Sequence, residues 1–463
     1  MMGSMTWSVR ALGIAIFVMG SGANAQTASE EGGIDATRAI EIQEKCTHGQ
    51  ASALSEIACE LSNGLAAIPP AVLVVSAPVE TKTPLTQPGR IEKRLAAVVA
   101  GRLRHGATAS EKTASLAVAR ARASGSGTLL HLRPVFANGT LRVEADVYPV
   151  PAKFWDRVRD PRPNPVFHAF AERPLDAELR SYLPPVPLVA HETVKASSPE
   201  QQPVALACAD VDDDGAAELV VVGRYSIHLA RIRQGSVKPF ASRQWTDLSS
   251  VAPAPLRQPI GSVSVQRGRY VDVGISDRAF AIRFDPQLQP IEKVGRRLPW
   301  PGGEGCSRFV GLVVGPQLHR CSETDESPAR DTFGWGTDAI ASTALVGRDG
   351  KLRHYMAGRI ANKAEVLWLD DGGHQARFQP AGAQLAMGDL DGDGRPELVS
   401  GANTMTPDQD AIVVRTWKAD GAVLERLRIR VPVGVRALAI CPQPEASLAP
   451  IAIAAGREIW VVQ

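Results

Sequence analysis

The acidic sequence DVDDDGAAEL occupies residues 210–219, and a near repeat, DLDGDGRPEL, occupies residues 389–398. Both follow the pattern D-x-D-x-D-G-x-x-E-L, and each runs directly into an apolar, β-like stretch. The glycine at the sixth position permits a tight turn that a Cβ atom would hinder. Because the same loop precedes a strand twice, the sequence predicts a repeated β architecture.

The spacing of the acids predicts a calcium site in each loop. Calcium takes about six to eight oxygen ligands from carboxylates and backbone carbonyls. Acids at the first, third and fifth positions converge, and a carbonyl at the seventh and an acid at the ninth complete the shell. The predicted ligands are Asp210, Asp212, Asp214, Ala216 and Glu218 in the first acidic loop, and Asp389, Asp391, Asp393, Arg395 and Glu397 in the second acidic loop.

Other interpretations of these loops are less favoured. An EF-hand is excluded because its glutamate stands at the twelfth position, where this chain has Val221 and Ser400. Mg²⁺ is a weaker candidate than calcium because it rarely uses cages made of protein ligands alone. The alternative without a metal is a solvated acidic turn, since Asp and Gly are common in turns for conformational reasons.

The composition is typical of a globular, turn-rich protein. The 463 residues are enough for about two or three domains. The apolar fraction of 44% supplies a normal core, and the 41 glycines and 34 prolines favour β structure over a helical bundle. The formal net charge of +2 indicates neither a nucleic-acid partner nor strong attraction to a membrane surface.

The N-terminus has the pattern of a secretory signal peptide, predicted at residues 1–25. Arg10 precedes an apolar run at residues 11–19, and Ala23-Asn24-Ala25 is an A-x-A cleavage pattern. The mature chain is then expected to start at Gln26 and to be periplasmic or secreted. No later segment is long and apolar enough to cross a bilayer. An uncleaved anchor is the alternative.

Six cysteines in an exported chain predict disulfides, although sequence does not decide their pairing. Proximity suggests the pairs Cys46–Cys59 and Cys306–Cys321, which leaves Cys208 and Cys441 to join distant segments. Free buried cysteines are the alternative. A zinc site has little support because the C-x-x-C spacing does not occur.

Residues 26–68 are polar and helix-like, and residues 69–150 predict a small α/β domain. An apolar strand at 71–75 is followed by helices near 91–103 and 111–123, and then by two strands joined through Asn138-Gly139, a strong hairpin signal. The alternation at 141–147 predicts that the second strand buries one face only. The β-α-α-β-β order resembles the N-terminal domain of the TolB family of periplasmic propeller proteins, which implies a protein-docking role.

Two further regions complete the predicted organisation. Residues 151–203 are rich in proline and predict a linker. Residues 204–463 contain short strands and turns at a period of about 40–50 residues, which predicts a β-propeller of about five to seven blades. Acid-free units are expected to open near Gly261, near Arg308 and near Val435. The predicted fold class is therefore mainly β, with a C-terminal β-propeller preceded by the small α/β domain.

The acidic loops and their flanks resemble the FG-GAP or VCBS repeat family, in which such loops bind calcium within propeller blades. The resemblance covers the acids at the first, third, fifth and ninth positions, where Glu218 and Glu397 replace the aspartate that the family commonly has. In a ring, the opening strand of the first unit neighbours the matching strand of the last. A Cys208–Cys441 disulfide is therefore expected to staple the closure of the ring.

Catalytic motifs are not evident in the sequence. Nine histidines are scattered, and neither H-E-x-x-H nor G-x-S-x-G occurs. The leading hypothesis is a non-catalytic exported propeller with structural calcium, which binds a protein or carbohydrate ligand or assists envelope assembly. One alternative is a propeller-based polysaccharide lyase or hydrolase. Another is a Tol-like periplasmic factor that docks a protein through its α/β domain.

Overall fold

The secondary structure is dominated by strands. The computed structural model describes residue 46 and residues 51–65, 68–103, 106–151, 154–159, 163–190, 192–233, 236–248, 261–275, 278, 281–294, 297–300, 303–308, 317–320, 337–360, 363–418, 421–442 and 448–463. The predicted signal peptide lies outside these residues.

Among the described residues, six strands and five α-helices form the N-terminal module. The strands are β1 (Val72–Ser76), β2 (Glu80–Thr81), β3 (Thr108–Ala109), β4 (Thr128–Ala137), β5 (Thr140–Pro149) and β6 (Phe167–Pro174). The helices are α1 (Ala53–Gly64), α2 (Arg90–Arg102), α3 (Leu116–Arg122), α4 (Phe154–Arg159) and α5 (Ala177–Arg180). The sheet has the order β3-β1-β4-β5-β6, and β2 pairs with β4. None of the helices in the described residues is long and apolar enough to span a bilayer.

Side-chain periodicity explains how these elements pack. Helix α1 is capped by Ser52, whose side chain accepts a hydrogen bond from the Ser55 N–H. Its apolar stripe, which includes Leu54 and Ile57, packs with α2 onto one face of the sheet. The Asn138-Gly139 hairpin is confirmed, because both residues have positive φ and join β4 to β5.

The expectation of a single buried face on β5 is wrong for the second half of the strand. Leu141 and Val143 are buried as predicted, and they belong to the cluster that includes residues of α1 and α2. Asp146 and Tyr148, on the opposite face, are only 6% exposed. The reason is that Tyr148 packs against α3 residues such as Ala119, so the sheet is covered on both sides at this end.

The C-terminal strands form a five-bladed propeller. The first blade is β8 (Pro203–Ala209), β9 (Glu218–Gly223), β10 (Ser226–Arg233) and β11 (Ser236–Gln244), followed by the short helix α6 (Trp245–Leu248). The second blade is β12 (Gly261–Gln266), β13 (Tyr270–Ile275), β14 (Ala281–Phe284) and β15 (Pro290–Val294). The acid-free unit predicted near Gly261 therefore opens the second blade.

The third blade is a seven-stranded sheet. Its strands are β16 (Arg297–Trp300), β17 (Gly303–Arg308), β18 (Gln317–Arg320), β19 (Thr337–Val346), β20 (Leu352–Ile360), β21 (Glu365–Asp370) and β22 (Gln375–Phe378). Strands β18 and β19 meet through one residue pair, Leu318 with Thr337. Both β16 and β19 contact the first strand of a neighbouring blade, so this wide sheet presents two strands to its neighbours in the ring.

The last two blades return the chain to the first. The fourth blade is β23 (Leu385–Gly388), β24 (Glu397–Gly401), β25 (Ala411–Trp417) and β26 (Val423–Arg430). The fifth contains β27 (Val435–Ile440), β28 (Ile451–Ala455) and β29 (Glu458–Val462), and its outer strand is β7 (Thr193–Ser197) from the N-terminal side. The predicted linker at 151–203 thus supplies β6 to the N-terminal sheet and β7 to the ring.

Two disulfides lie among the described residues. Cys46 pairs with Cys59 of α1, as predicted. Cys208 of β8 pairs with Cys441, which follows β27, so the predicted staple between the first and last blades is confirmed. The predicted Cys306–Cys321 pair lies outside the described side chains.

Candidate metal centre

The two acidic loops occupy the same place in two blades. The first joins β8 to β9, with Asp210 directly after β8 and Glu218 opening β9. The second joins β23 to β24, with Asp389 directly after β23 and Glu397 opening β24. Equivalent positions in the first and fourth blades confirm that the sequence repeat is also a structural repeat.

Each loop is closed by hydrogen bonds from its own backbone. The Gly215 N–H donates to Asp210 Oδ2 at 3.1 Å, and the Gly394 N–H donates to Asp389 Oδ2 at 2.8 Å. Both glycines have positive φ, at +87° and +82°, which explains the glycine at this turn.

The ninth-position glutamates also bind backbone. Glu218 Oε2 accepts from the Val211 N–H at 2.9 Å, and Glu397 Oε2 accepts from the Leu390 N–H at 2.8 Å. The two side chains belong to residues that are 0% and 2% exposed. The first acid and the ninth acid are therefore both held in place before any ligand is considered.

The structure brings seven of the predicted acids into two clusters. In the first loop, one oxygen from each of Asp210, Asp212, Asp214 and Glu218 lies within 4.8 Å of the others. In the second loop, the same holds for Asp389, Asp391 and Glu397.

The remaining predicted ligands have other contacts. Asp393 is outside the second cluster, and its Oδ1 accepts from the Arg395 N–H at 2.9 Å. The N–H of Ala216 makes the corresponding bond to Asp214 Oδ1, also at 2.9 Å. These amide contacts fix the end of each loop. The predicted ligand role of the Ala216 and Arg395 carbonyls stays a prediction.

Arginines neutralise the first cluster. Arg231 of β10 contacts Glu218 Oε1 at 2.9 Å, Asp212 Oδ2 at 3.1 Å and Asp214 Oδ2 at 2.6 Å. Arg267, from the β12–β13 turn of the next blade, contacts Asp210 and Asp213 at 2.8 and 2.6 Å. A guanidinium therefore already stands among the first-loop carboxylates.

The second cluster differs from the first in its contacts with charged side chains. Among the described residues, no ion pair reaches Asp389, Asp391 or Glu397. Arg348, from the β19–β20 turn, instead donates to the Asp393 backbone carbonyl at 2.8 Å and lies 3.3 Å from Asp393 Oδ2. Within the described residues, the three clustered carboxylates accept hydrogen bonds from backbone N–H groups.

Strand register explains the difference between the loops. Glu218 stands opposite Arg231 in the β9–β10 pair. At the equivalent place in the fourth blade, Glu397 stands opposite Thr416. A threonine neither reaches the acids as arginine does nor carries a charge, so β25 supplies no counter-charge at this position of the second loop.

The pKa shifts follow this difference. Burial, reinforced by the neighbouring Asp393 and Asp391 carboxylates, raises the pKa of Asp389 to about 7. Burial and the Asp391 charge likewise raise the pKa of Glu397 well above its usual range. In the first loop, the Ala216 N–H and Arg231 lower the pKa of Asp214. The ionised forms of Asp389 and Glu397 are thus disfavoured in the second loop, whereas the ionised form of Asp214 is favoured in the first loop.

Sequence reasoning missed the arginines around both loops. Arg231 lies 13 residues beyond Glu218, on the next strand of the same blade. A hairpin that pairs β9 with β10 places Arg231 opposite Glu218. The spacing between the loop and these two strands is the sequence signal that could have identified Arg231. Arg267 and Arg348 come from adjacent blades, and nothing in the local sequence marks them.

Comparison with known proteins finds only distant similarity to solved structures. Neither a protein-family model nor a curated protein matches the chain. Similar solved structures include virginiamycin B lyase from Staphylococcus aureus, with 10% identity and a TM-score of 0.31, covering 59% of this chain and 99% of that one. They also include TolB from Acinetobacter baumannii, with 12% identity and a TM-score of 0.27, covering 85% and 94%. The five sheets define the chain as a β-propeller protein.

Proposed function

We propose that this chain is an exported β-propeller protein that binds calcium through its acidic loops and acts as a non-catalytic scaffold for a protein or carbohydrate ligand. The observation that supports calcium binding is the second acidic loop. There Asp389, Asp391 and the buried Glu397 bring three carboxylates together, and no ion pair within the described part of the chain reaches them. A divalent cation there would offset both the burial of charge and the mutual repulsion.

The donor set fits calcium. All available side-chain ligands are carboxylate oxygens, which hard cations prefer, and the loop offers no nitrogen or sulfur ligand. In the first loop a cation would compete with Arg231 for Asp212, Asp214 and Glu218. We therefore assign the tighter calcium site to the second loop and a weaker site to the first.

Export and a scaffold role rest on separate arguments. The two disulfides fit an oxidising compartment outside the cytoplasm. A closed ring of sheets offers broad, rigid surfaces, and the sequence contains no recognisable nucleophile or metalloprotease motif. Binding is therefore the function that these features support best.

Calcium removal tests the proposal. Treatment with a strong chelator should lower the melting temperature, and a calcium excess of about 100-fold over Kd should restore about 2.7 kcal/mol of stability. Asp391→Asn should abolish most of that response because it removes a carboxylate from the cluster. Asp408→Asn, an exposed aspartate of the same blade, is the matched control and should respond like the wild type.

Calorimetry and elemental analysis of the purified chain complete the test. Binding of calcium in the millimolar range or tighter is expected. A chain that takes up no calcium at millimolar supply, with an unchanged melting temperature in chelator, would contradict the proposed calcium site.

A further inference from the structure

The turn between β7 and β8 connects the outer strand of the fifth blade to the inner strand of the first. Glu200 lies in this turn, and its side chain extends to Ser226 at the start of β10. A Cβ atom on Gly223 would overlap the Glu200 side chain, so the glycine leaves the space that the carboxylate occupies. The turn is thereby joined to the first blade by an acid that is only 5% exposed.

Backbone and hydroxyl donors hold the Glu200 carboxylate. Its Oε1 accepts from the Gln202 N–H at 3.1 Å, and its Oε2 accepts from the Ser226 N–H at 3.2 Å and from the Ser226 hydroxyl. The Ser226 hydroxyl also lies 2.7 Å from Nε2 of His228, two residues further along β10. Glu200, Ser226 and His228 therefore form one chain of hydrogen bonds.

The hydrogens available to this chain assign the tautomer of the histidine. The Ser226 hydroxyl has one hydrogen, and it goes to Glu200 because an ionised carboxylate has none to give. Nε2 of His228 must then carry the hydrogen that is donated to Ser226 Oγ. Nδ1 of the neutral ring is bare, and this buried atom has no hydrogen-bond partner among the described residues. Protonation would put an N–H there, and a buried donor without an acceptor is costly.

His228 faces the seam between the first and fifth blades. Strand register places Val221 of β9 and Ser242 of β11 beside it. Val221 packs with Ile459 and Val461 of the fifth blade, so the seam is largely apolar. Among the described residues of β9, β10 and β11 that share this face, His228 is the one titratable side chain.

The charged residues of the packed strands lie on other faces. In the first blade, the alternation of side chains places these residues on the face opposite His228: Glu218, Arg231, Arg233, Lys238 and Arg243. In the fifth blade, Lys195 of β7 lies over the Trp460 ring, whose Nε1–H donates to Glu458. These three residues alternate with Ile459 and Val461 and so face away from the seam.

Two arginines belong to the turns that adjoin Glu200. Arg224 lies in the β9–β10 turn and Arg457 in the β28–β29 turn. Burial lowers the pKa of His228 below its usual 6.5, and the Glu200 charge opposes that effect only in part. The folded chain therefore binds fewer protons at this site than the unfolded chain. Its stability should fall as the pH falls below about 6.5.

We propose that Glu200, Ser226 and His228 form an acid-sensitive latch at the seam between the first and fifth blades, so that protonation of His228 frees the β7–β8 turn from β10. The charged ring needs water or an acceptor at Nδ1, and opening of the seam supplies it. The Cys208–Cys441 disulfide joins the same two blades through β8 and the residue after β27. The ring therefore stays covalently closed while the outer part of the seam opens.

Hydrogen exchange on the full-length chain tests the latch at about pH 7.5 and about pH 5.5, on either side of the ordinary histidine pKa. The reporting amides are those of Ser198, Gln202 and Ser226, which donate to the Arg457 carbonyl or to Glu200. After correction for intrinsic exchange, they should exchange at least about fivefold faster at the lower pH, the effect of leaving one buried donor unpaired. Exchange in β4 and β5 of the N-terminal sheet should stay constant.

His228→Gln identifies the group that titrates. Glutamine keeps a side-chain N–H for Ser226 but is not protonated, so the three amides should exchange equally fast at both pH values. The loss of melting temperature between these pH values should also be smaller than in the wild type. His354→Gln, at an exposed histidine of β20, is the matched control and should keep the wild-type response.

The outcomes decide for or against the latch. Equal protection of the three amides at both pH values in the wild type, or an unchanged pH response in His228→Gln, overturns it. If His228→Gln does not fold, nuclear magnetic resonance of the ring nitrogens of His228 in the unmutated chain replaces it. An Nε2–H tautomer whose protonation coincides with faster exchange supports the latch, and protonation without faster exchange contradicts it. These results do not depend on calcium binding by the acidic loops.

Discussion

At the residue scale, the two acidic loops differ in how their charge is balanced. The first contains Arg231 in contact with three carboxylates. In the second loop, the donors that the described residues supply to the cluster are backbone N–H groups, and the Arg180 side chain lies against Gly392. Nearly identical motifs thus have different electrostatic environments, which is the basis for assigning them different cation affinities.

Replacing Arg231 should convert the first loop into a stronger calcium site. Arg231→Gln removes the charge that competes for Asp212, Asp214 and Glu218, so the calcium affinity of this loop should rise about tenfold. The calcium-free variant should melt at a lower temperature than the wild type, because the acids then repel each other without compensation. Calorimetry and thermal unfolding with and without calcium measure both effects.

Arg233→Gln is the control for that change. Arg233 lies two residues further along β10 and is exposed. It should alter neither calcium affinity nor the melting temperature. An Arg231→Gln protein with wild-type calcium affinity would mean that the arginine does not limit ion binding at the first loop.

At the element scale, the outer strand of the fifth blade comes from far away in sequence. Strand β7 pairs antiparallel with β29, and Glu192 and Gln463 exchange both backbone hydrogen bonds at 3.1 and 3.0 Å. Because hydrogen-bonded pairs alternate in such a ladder, Ala196 also bonds to its partner Ile459. The N–H of Thr193 points away from β29.

Proline substitutions in β7 should show how much this strand contributes. Ala196→Pro removes a ladder bond and leaves the buried Ile459 carbonyl unpaired, which should lower the free energy of unfolding by about 1–3 kcal/mol. Thr193→Pro should cost clearly less, because its N–H is not used by β29. Urea unfolding of the two variants measures the loss of unfolding free energy in each. Equal losses would show that β7 does not stabilise the ring through this ladder.

At the scale of the whole molecule, two links close the ring. Strand β7 completes the fifth blade, and Cys208–Cys441 joins the first blade to the last across 233 residues of sequence. A cross-link over so long a segment restricts the unfolded chain more than a short one does. The ring is therefore closed both by backbone pairing and covalently.

Removal of the closing disulfide should destabilise the chain more than removal of the other one. Cys208→Ala with Cys441→Ala should cost about 2–5 kcal/mol in thermal or denaturant unfolding. Cys46→Ala with Cys59→Ala, which opens a span of only 13 residues, should cost less. A reversed order would indicate that ring closure depends on β7 and packing rather than on the cross-link.

Local chemistry accounts for the features that the sequence predicted well. The loop glycines, the Asn138-Gly139 turn and the alternation along the first half of β5 each depend on neighbouring residues only. The closing disulfide was also predictable, because the position of each cysteine relative to its repeat unit places both in neighbouring strands. The burial of Asp146 and Tyr148 was missed, since it depends on α3 packing against the sheet.

By itself, the sequence determined the repeated β units, the paired acidic loops and the cysteines that staple the ring, because turn geometry and strand alternation act over a few residues. Only the tertiary structure decided that Arg231 balances one loop, that Arg180 reaches the other, and that β7 completes the last blade. These contacts depend on strand register and on segments up to hundreds of residues apart, and no local pattern carries that information.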